Sequence, residues 1–200
     1  MSRPKPREDP VNRSPEQIYD ELLVLRCQDG ESDAFSELAD RWQGRLSRHA
    51  WRLAASHEVA SDAVQEAWLA IVRNIRKLDD PARFPAWAYR IVTHKCADQV
   101  RRAVRRSKFD DELKRQPPAA PAVNGAFAAD DQGAAVRRAM LELPADRRAL
   151  LGLHYLEGVG VKEMASILEI PEGTVKSRLF TARKALKKAL DQHKEERNRR

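Results

Sequence analysis

The sequence predicts an all-α fold made of two small helical domains joined by a flexible linker. Three observations favour it. Apolar residues recur at helical spacing through most of the chain, a helix-turn-helix pattern lies near its end, and a stretch rich in proline, alanine and glycine separates the two periodic regions. Because aromatic residues make up only 6% and charged residues 34%, any core has to come from amphipathic helices.

The amino-acid composition limits which binding partners and which cellular compartment are expected for this protein. The formal net charge of +7 favours a polyanionic partner. No apolar run has the length of a membrane span, and the first twelve residues lack the apolar segment of a secretory signal, so we expect a cytoplasmic protein without membrane insertion. Cys27 and Cys96 stand far apart in the sequence, and we interpret both as buried thiols.

The first domain is predicted over residues 16–106, after a disordered tail at residues 1–15 that is rich in proline and charge. Its first helix ends at Asp29-Gly30. A core helix follows from about Ser32, with Ser32 or Asp33 as its cap. The apolar positions of these two helices are Ile18, Leu22 and Leu25, then Phe35, Leu38, Trp42, Leu46 and Leu53.

The third helix, from about Val59 to Arg76, carries an acidic and amide patch. Asp62, Gln65 and Glu66 are expected to be exposed on it, in a protein that is otherwise basic. Such a patch does not suit DNA. It is either a solvated face or a docking site for a basic protein surface. The residues predicted to be buried on this helix are Val64, Ala67, Trp68, Ile71 and Ile75.

A fourth helix opens at Phe84, after the loop LDDPAR, and changes from aromatic in its first half to basic in its second. Interleaved rings and cations are typical of surfaces that bind single-stranded nucleic acid, because rings stack on bases while cations follow the backbone. Each aromatic residue could instead belong to the core. The stripe at helical spacing contains Trp87, Arg90, His94 and Arg101.

The second domain is predicted over residues 133–190, between a flexible linker at 107–132 and a charged tail at 191–200 that frays. Its first helices carry Val136, Met140 and Leu143, then Leu150, Leu153 and Leu156. The helix-turn-helix follows. Its apolar positions are Val161, Ala165 and Leu168 before the Ile170-Pro171 turn, and Val175, Leu179, Ala182 and Leu186 after it.

The outward side of the last helix carries donors suited to phosphates and base edges, with one apolar ring that could contact a thymine methyl. The alternative is an ordinary surface helix with a basic face. The helix begins at Gly173, where a backbone N–H could approach a phosphate. The outward residues are Thr174, Lys176, Ser177, Arg178, Phe180, Arg183 and Lys184.

Three segments in this order resemble the extracytoplasmic-function sigma factors, the compact two-domain class of bacterial RNA polymerase specificity subunits. DAVQEAW at Asp62 to Trp68 is similar to the family's DxxQExF/W segment. FPAWAYRIVTHKCADQVRR at Phe84 to Arg102 is similar to its FxxWLYRIAxNxxxDxxRR segment. EGVGVKEMASILEIPEGTVKSRLFTARKAL at Glu157 to Leu186 is similar to its EGxSxxEIAxxLxIPxGTVKSRLxRARxxL segment. The resemblance covers both domains, sigma regions 2 and 4.

The resemblance implies a sigma factor that binds core RNA polymerase and directs promoter-specific initiation, without enzymatic activity or a cofactor. Region 2 would dock on the clamp helices of the largest subunit, melt the −10 element and bind its non-template strand, and a base flipped from that element would lie in the loop from Leu78 to Arg83. Region 4 would contact the polymerase flap and enter the major groove of the −35 element. An anti-sigma factor is a further expected partner.

Residue roles follow from the same resemblance. Polymerase binding falls to Asp62, Gln65 and Glu66. Binding of the −10 element falls to Asp79, Asp80, Arg83, Trp87, Tyr89, Arg90, His94, Lys95, Arg101 and Arg102. Binding of the −35 element falls to Gly173, Thr174, Lys176, Ser177, Arg178, Phe180, Arg183 and Lys184.

The sequence departs from the family pattern at three positions, and two other functions stay open. His94 stands in place of asparagine, Thr181 in place of a basic residue and Ala88 in place of a larger apolar one. An autonomous helix-turn-helix regulator would use the first domain for dimerisation or sensing. A recombinase-like enzyme would need acidic residues around a metal, but the paired aspartates lie in loops or the linker and the histidines are scattered, so no metal site is expected.

Overall fold

The computed structural model describes residues 13–54, 56–110 and 131–198, and every regular element within them is helical. The predicted all-α class is confirmed. Residues 1–12, 111–130 and 199–200, which hold most of the predicted tail and linker, lie outside the described residues. The helices are α1 (Pro15–Asp29), α2 (Ser32–Leu53), α3 (His57–Asn74), α4 (Phe84–Asp110), α5 (Asp131–Leu141), α6 (Ala145–Leu151), α7 (Val161–Leu168) and α8 (Glu172–Asn198), with 3-10 turns at Ile75–Lys77 and Pro81–Arg83 and a π turn at Gly152–Leu156.

The chain enters α1 through a capping box. The Ser14 hydroxyl accepts the backbone N–H of Gln17, and the Gln17 side chain accepts the N–H of Ser14 in return. Gly30 ends α1 with φ of 95°, a left-handed conformation that glycine adopts at no steric cost. The predicted cap of α2 at Ser32 or Asp33 is wrong. This tight turn brings the chain into α2 at once, so Glu31 is the N-cap and its side chain makes no capping hydrogen bond.

The core of the first domain forms around Trp42 of α2. Its ring meets the rings of Phe84 and Tyr89 edge to face, with centroids 5.3 and 5.9 Å apart, and all three side chains are buried. Leu23 and Val24 of α1 pack into the same core. The apolar residues that the sequence placed together on α1 lie on the opposite side, where Ile18, Leu22 and Leu25 are exposed.

The two longest helices extend beyond their predicted ends. α4 continues four residues past Arg106, where the linker was predicted to begin, and α8 continues to Asn198 through most of the predicted tail. α7 and α8 form the predicted helix-turn-helix. The turn between them contains Glu169 in the left-handed conformation, with φ of 54°, and the Pro171 carbonyl accepts the N–H groups of Thr174 and Val175 in the first turn of α8.

The two domains pack directly against each other, which the picture of two bodies on a linker did not predict. Their buried apolar residues form a single contiguous cluster. The guanidinium of Arg148 on α6 is buried and donates to the carbonyls of Arg52 and Leu141, 3.1 and 3.3 Å away. These carbonyls lie near the ends of α2 and α5, where they lack partners within their own helices. One buried side chain therefore joins a helix end of each domain.

Both cysteines are buried free thiols, as the sequence analysis expected. Burial raises the pKa of Cys96 to about 12, so its thiol stays protonated at neutral pH. No three His, Cys, Asp or Glu side chains of the described residues are grouped closely enough to hold a metal ion. Within the same residues, no helix combines the length and apolarity that crossing a bilayer requires.

His49 is fully buried between α2 and α4. Its Nε2 lies 2.9 Å from the Thr93 hydroxyl, and its ring meets Tyr89 edge to face. Burial, with a smaller contribution from the positive charge of Arg52, lowers the pKa of His49 to about 3. A histidine with a lowered pKa in the folded state takes up its proton only on unfolding. The free energy of unfolding therefore falls as pH drops from the unfolded pKa of about 6.5 towards 3.

We predict that this single group reduces the free energy of unfolding by about 1.4 kcal/mol for each pH unit below 6. His49→Gln, which cannot be protonated, should lose that part of the pH dependence, as urea titrations at pH 7.5, 6.5 and 5.5 would measure. His57→Gln, at an exposed histidine, is the matched control and should keep the parent's pH dependence. Equal pH dependence of the parent and His49→Gln would contradict the prediction.

Candidate nucleic-acid interfaces and docking face

The outward side of α8 is built as the sequence predicted. Val175, Leu179 and Ala182 are buried against α6 and α7, which turns Lys176 and Arg178 to the solvent. Among the described residues no carboxylate lies within ion-pair distance of these two cations. Their donors are available for an external anion.

The other predicted residues of α8 divide into local and outward contacts. The Ser177 hydroxyl donates to the Thr174 carbonyl at 3.0 Å, and the Thr181 hydroxyl donates to the Ser177 carbonyl at 3.1 Å. Phe180 is 58% exposed, and the Lys184 ammonium lies 4.6 Å from the centre of its ring. An exposed aromatic ring beside cations is unusual on a solvated surface and suits contact with a base edge.

The patch on α3 is larger and more apolar than the sequence analysis stated. Asp62 and Gln65 are exposed as predicted. The same side of the helix continues through Leu69 and Val72, which are 55% and 49% exposed. Neither Leu69 nor Val72 was predicted to belong to the patch. Their spacing of seven and ten residues from Asp62 nevertheless places them on the same helix face as Asp62, away from the buried face. We call Asp62, Gln65, Leu69 and Val72 the docking face.

Glu66 is not a free member of this face. Its carboxylate accepts hydrogen bonds from Gln99 and Arg102, both at 2.8 Å, and lies 3.4 Å from the Lys95 ammonium. Burial alone would raise the pKa of Glu66, but the hydrogen bonds from Arg102 and Lys95 outweigh it and the pKa is lowered. Glu66 therefore joins α3 to α4. It also forms ion pairs with Lys95 and Arg102, two of the cations predicted to bind the −10 element.

The loop before α4 is held in place from both sides. Asp80 caps the short turn that follows, because its carboxylate accepts the N–H of Ala82 at 3.0 Å. Gln28 of α1, which the sequence analysis did not single out, donates to the carbonyls of Ile75 and Leu78 at 2.9 and 2.7 Å. Arg83 projects outward with 80% of its side chain exposed. The loop is a fixed rim that carries an exposed guanidinium, whose Nε lies 3.7 Å from the Asp80 carboxylate.

The remaining residues predicted for the −10 element lie along α4 in different environments. Trp87 is partly buried against Phe84. Tyr89 is fully buried, so its ring cannot stack on a base in this arrangement. Arg90 and His94 are exposed, but both pair with Glu169 of the second domain. Arg101 forms a local ion pair with Asp98 at 2.6 Å. Ala88, one of the departures from the family pattern, is fully buried in the core.

A cluster of arginines on α2 is the main feature that sequence reasoning missed. Arg45, Arg48 and Arg52, at helical spacing, surround the carboxylate of Glu157 from the second domain, with N–O distances of 3.4, 3.7 and 3.2 Å. The Tyr89 hydroxyl donates to the same carboxylate at 2.9 Å. Burial and the neighbouring Glu157 charge raise the pKa of Tyr89, so it remains a donor. The recurrence of Arg45, Arg48 and Arg52 at helical spacing on a predicted core helix is the signal in the sequence that could have found the cluster.

Comparison with known families matches both domains of the chain. The model of sigma-70 region 2 matches residues 38–106, and the model of sigma-70 region 4 matches residues 133–186. The ECF RNA polymerase sigma-E factor of Escherichia coli K12 is 30% identical over 182 residues, which cover 86% of this chain and 94% of that protein. The RNA polymerase sigma-H factor of Pseudomonas aeruginosa is 30% identical over 183 residues, covering 87% and 95%.

Two solved structures share the fold. CnrH, solved in complex with the cytosolic domain of CnrY, is 25% identical with a TM-score of 0.61, covering 86% of this chain and 97% of CnrH. The sigma factor RpoE of Bartonella quintana, solved with the anti-sigma factor NepR, is 24% identical with a TM-score of 0.62, covering 78% of this chain and 96% of RpoE. The likeness extends over both domains.

Proposed function

The chain belongs to the extracytoplasmic-function sigma factors of the sigma-70 family, and we propose that it binds core RNA polymerase through α3 and reads promoter DNA through α4 and α8. As a sigma factor it directs promoter-specific transcription initiation. Sigma factors are regulatory subunits, and we assign this chain no catalytic residue or cofactor. The observation that carries the proposal is the presence of both sigma regions, in order, over nearly the full length of relatives.

The docking face on α3 is the proposed contact with the polymerase clamp helices. Its acidic Asp62 repels DNA phosphates, and its neighbours Leu69 and Val72 present apolar area that favours a protein partner. We assign Glu66 a different part from the one first predicted. It holds α3 against α4, so the docking face and the −10 surface move as one body.

The proposed contacts with the −10 element lie on the loop and the exposed side of α4. Arg83 at the rim, with Arg90 and Arg101 along the helix, offers a row of cations for a single strand, and His94 lies one turn from Arg90 on the same exposed side. Flipping a base out of the duplex costs a few kcal/mol of stacking, which a fitted pocket can recover for one base only. The fixed shape of the loop supports such selection.

The proposed reading of the −35 element rests on α8. Its exposed start, with Gly173 leaving open space and Lys176 and Arg178 unpaired, can enter a major groove without rearrangement of the second domain. An autonomous helix-turn-helix regulator would also bind DNA through α8. The match of the first domain to sigma region 2 argues against this alternative.

We further propose cytoplasmic localisation and regulation by an anti-sigma factor. The complex of RpoE, which shares the fold, with the anti-sigma factor NepR supports that partner.

The test of the function is biochemical reconstitution. The full chain should co-elute with core RNA polymerase in gel filtration and should make the polymerase start at defined sites on fragmented genomic DNA. A chain that bound a duplex site alone and left start sites unchanged would be an autonomous regulator instead.

On the docking face, we predict that Leu69→Ala weakens binding to core polymerase about tenfold, because a buried leucine at an interface centre contributes more than 1 kcal/mol. Leu22→Ala, at a leucine of α1 with comparable exposure of 47%, is the control and should bind as the parent does. Competition for core polymerase against a labelled parent chain measures both affinities. Equal losses in the two variants would show that the effect is not specific to α3.

For α8, we predict that Arg178→Ala reduces transcription from a promoter with a −35 element by roughly tenfold or more, since a specific base contact is worth about 1–3 kcal/mol. Binding to core polymerase should stay unchanged. Lys188→Ala removes one positive charge ten residues further along, about 15 Å away on the same helix, and should have little effect. If both variants lost the same activity, α8 would contribute charge without reading bases.

A further inference from the structure

The carboxylate of Glu157 occupies a site that is built for an anion. Only 2% of its side chain is exposed, and three guanidinium groups of α2 and one phenol of α4 surround it. The arginine cluster, Arg45, Arg48 and Arg52, thus carries three positive charges around one carboxylate. Planar guanidinium groups bind phosphate oxygens as readily as carboxylate oxygens. Arg52 and Glu157 are both buried, so removal of either one would leave an unpaired buried charge and reduce the free energy of unfolding.

One member of the arginine cluster, Arg45, also faces the loop before α4. Together with Glu157 it lines a cleft of about 300 Å³ whose other walls include Trp42, Tyr89, Pro81 and Ala82. The acidic residues in the same lining already have partners. Asp20 pairs with Arg41, Glu21 with Arg13, and Glu163 accepts the N–H of Gly160. A strand that places a base at the loop would bring its backbone to the arginines.

The second domain covers this region in the present arrangement. Glu157 fills the arginine cluster, and Glu169 pairs with Arg90 and His94 on the exposed side of α4. Both carboxylates place a negative charge of one domain on side chains of the other domain, the arginine cluster and Arg90, which the proposed function assigns to the −10 strand. The arrangement therefore places protein carboxylates where nucleic-acid phosphates would bind.

We propose that the arginine cluster is a further phosphate-binding site for single-stranded promoter DNA, and that Glu157 occupies it in the free chain. The inference rests on the proposed function of α4. Separation of the domains exchanges one anion for another, so the arginines keep a partner in both states. The free chain is closed by its own second domain, and DNA and Glu157 compete for one site.

Gly152 provides a variant that opposes the domain contact without removing a charge. A Cβ at this position would lie 2.4 Å from Cδ, 2.6 Å from Nε and 2.9 Å from Cζ of Arg52, whose side chain is buried, so Arg52 or the backbone of Gly152 has to move. The backbone of Gly152 is helical, with φ of −60° and ψ of −50°, so alanine suits the second domain itself. Gly152→Ala therefore disfavours the closed arrangement while the helix-turn-helix keeps its fold.

The experiment measures binding of a fluorescent single-stranded −10 oligonucleotide to the full chain by anisotropy, together with the radius of gyration by small-angle scattering. Gly152→Ala and Glu157→Gln should each bind at least about fivefold more tightly than the parent and should expand, as expected for a coupling of the usual size. Gly160→Ala, where an added Cβ lies 3.9 Å from its nearest neighbour, and Glu58→Gln, at an exposed glutamate of α3, are the matched controls.

A second arm isolates the arginines. Adding Arg45→Ala to Gly152→Ala should remove the gained affinity and reduce the salt dependence by about 0.7 per lost phosphate contact. Expansion without gained affinity would overturn the phosphate site, and unchanged size with unchanged affinity would overturn the closed arrangement. Transcription by the parent chain with core polymerase is run alongside. Its failure alone would count against the proposed function rather than against this inference.

Discussion

The pairing of Glu157 with Arg52 is the interaction on which the arrangement of this molecule depends. Both side chains are 2% exposed, and they come from different domains. A buried charge without a partner costs several kcal/mol, so each domain holds a group that is stable in this position only while the other is present. Arg148, whose buried guanidinium donates to backbone carbonyls, and the contiguous apolar cluster reinforce the contact.

Three glutamates of this protein serve contacts within the chain, whereas two cations of α8 face outward. Glu66, Glu157 and Glu169 each neutralise cations of α2 or α4. On α8, by contrast, Lys176 and Arg178 have no such partner among the described residues. The two surfaces proposed to read DNA are therefore in different states. That of the second domain is open, and that of the first domain is covered by the second.

Within the first domain, side-chain hydrogen bonds also tie its surfaces together. Glu66 fixes the docking face to α4, and Gln28 fixes the loop to α1. Polymerase bound at α3 and DNA bound at α4, as proposed, would thus contact the same rigid domain. The second domain is attached to this domain by contacts with α4, and these contacts have to break before DNA can reach α4. This gives the closed arrangement a direct relation to the activity of a sigma factor.

Local sequence was sufficient for the helices, the helix-turn-helix and the family, because helical periodicity, proline at a turn and short motifs depend on residues close together in the chain. Val175, Leu179 and Ala182 are buried as their spacing predicted. The contacts of Tyr89, Glu66 and Glu157 could not be obtained in this way. Each meets a partner 33 to 112 residues away, and a residue's spacing along one helix says nothing about which carboxylate the packing of another domain brings to it.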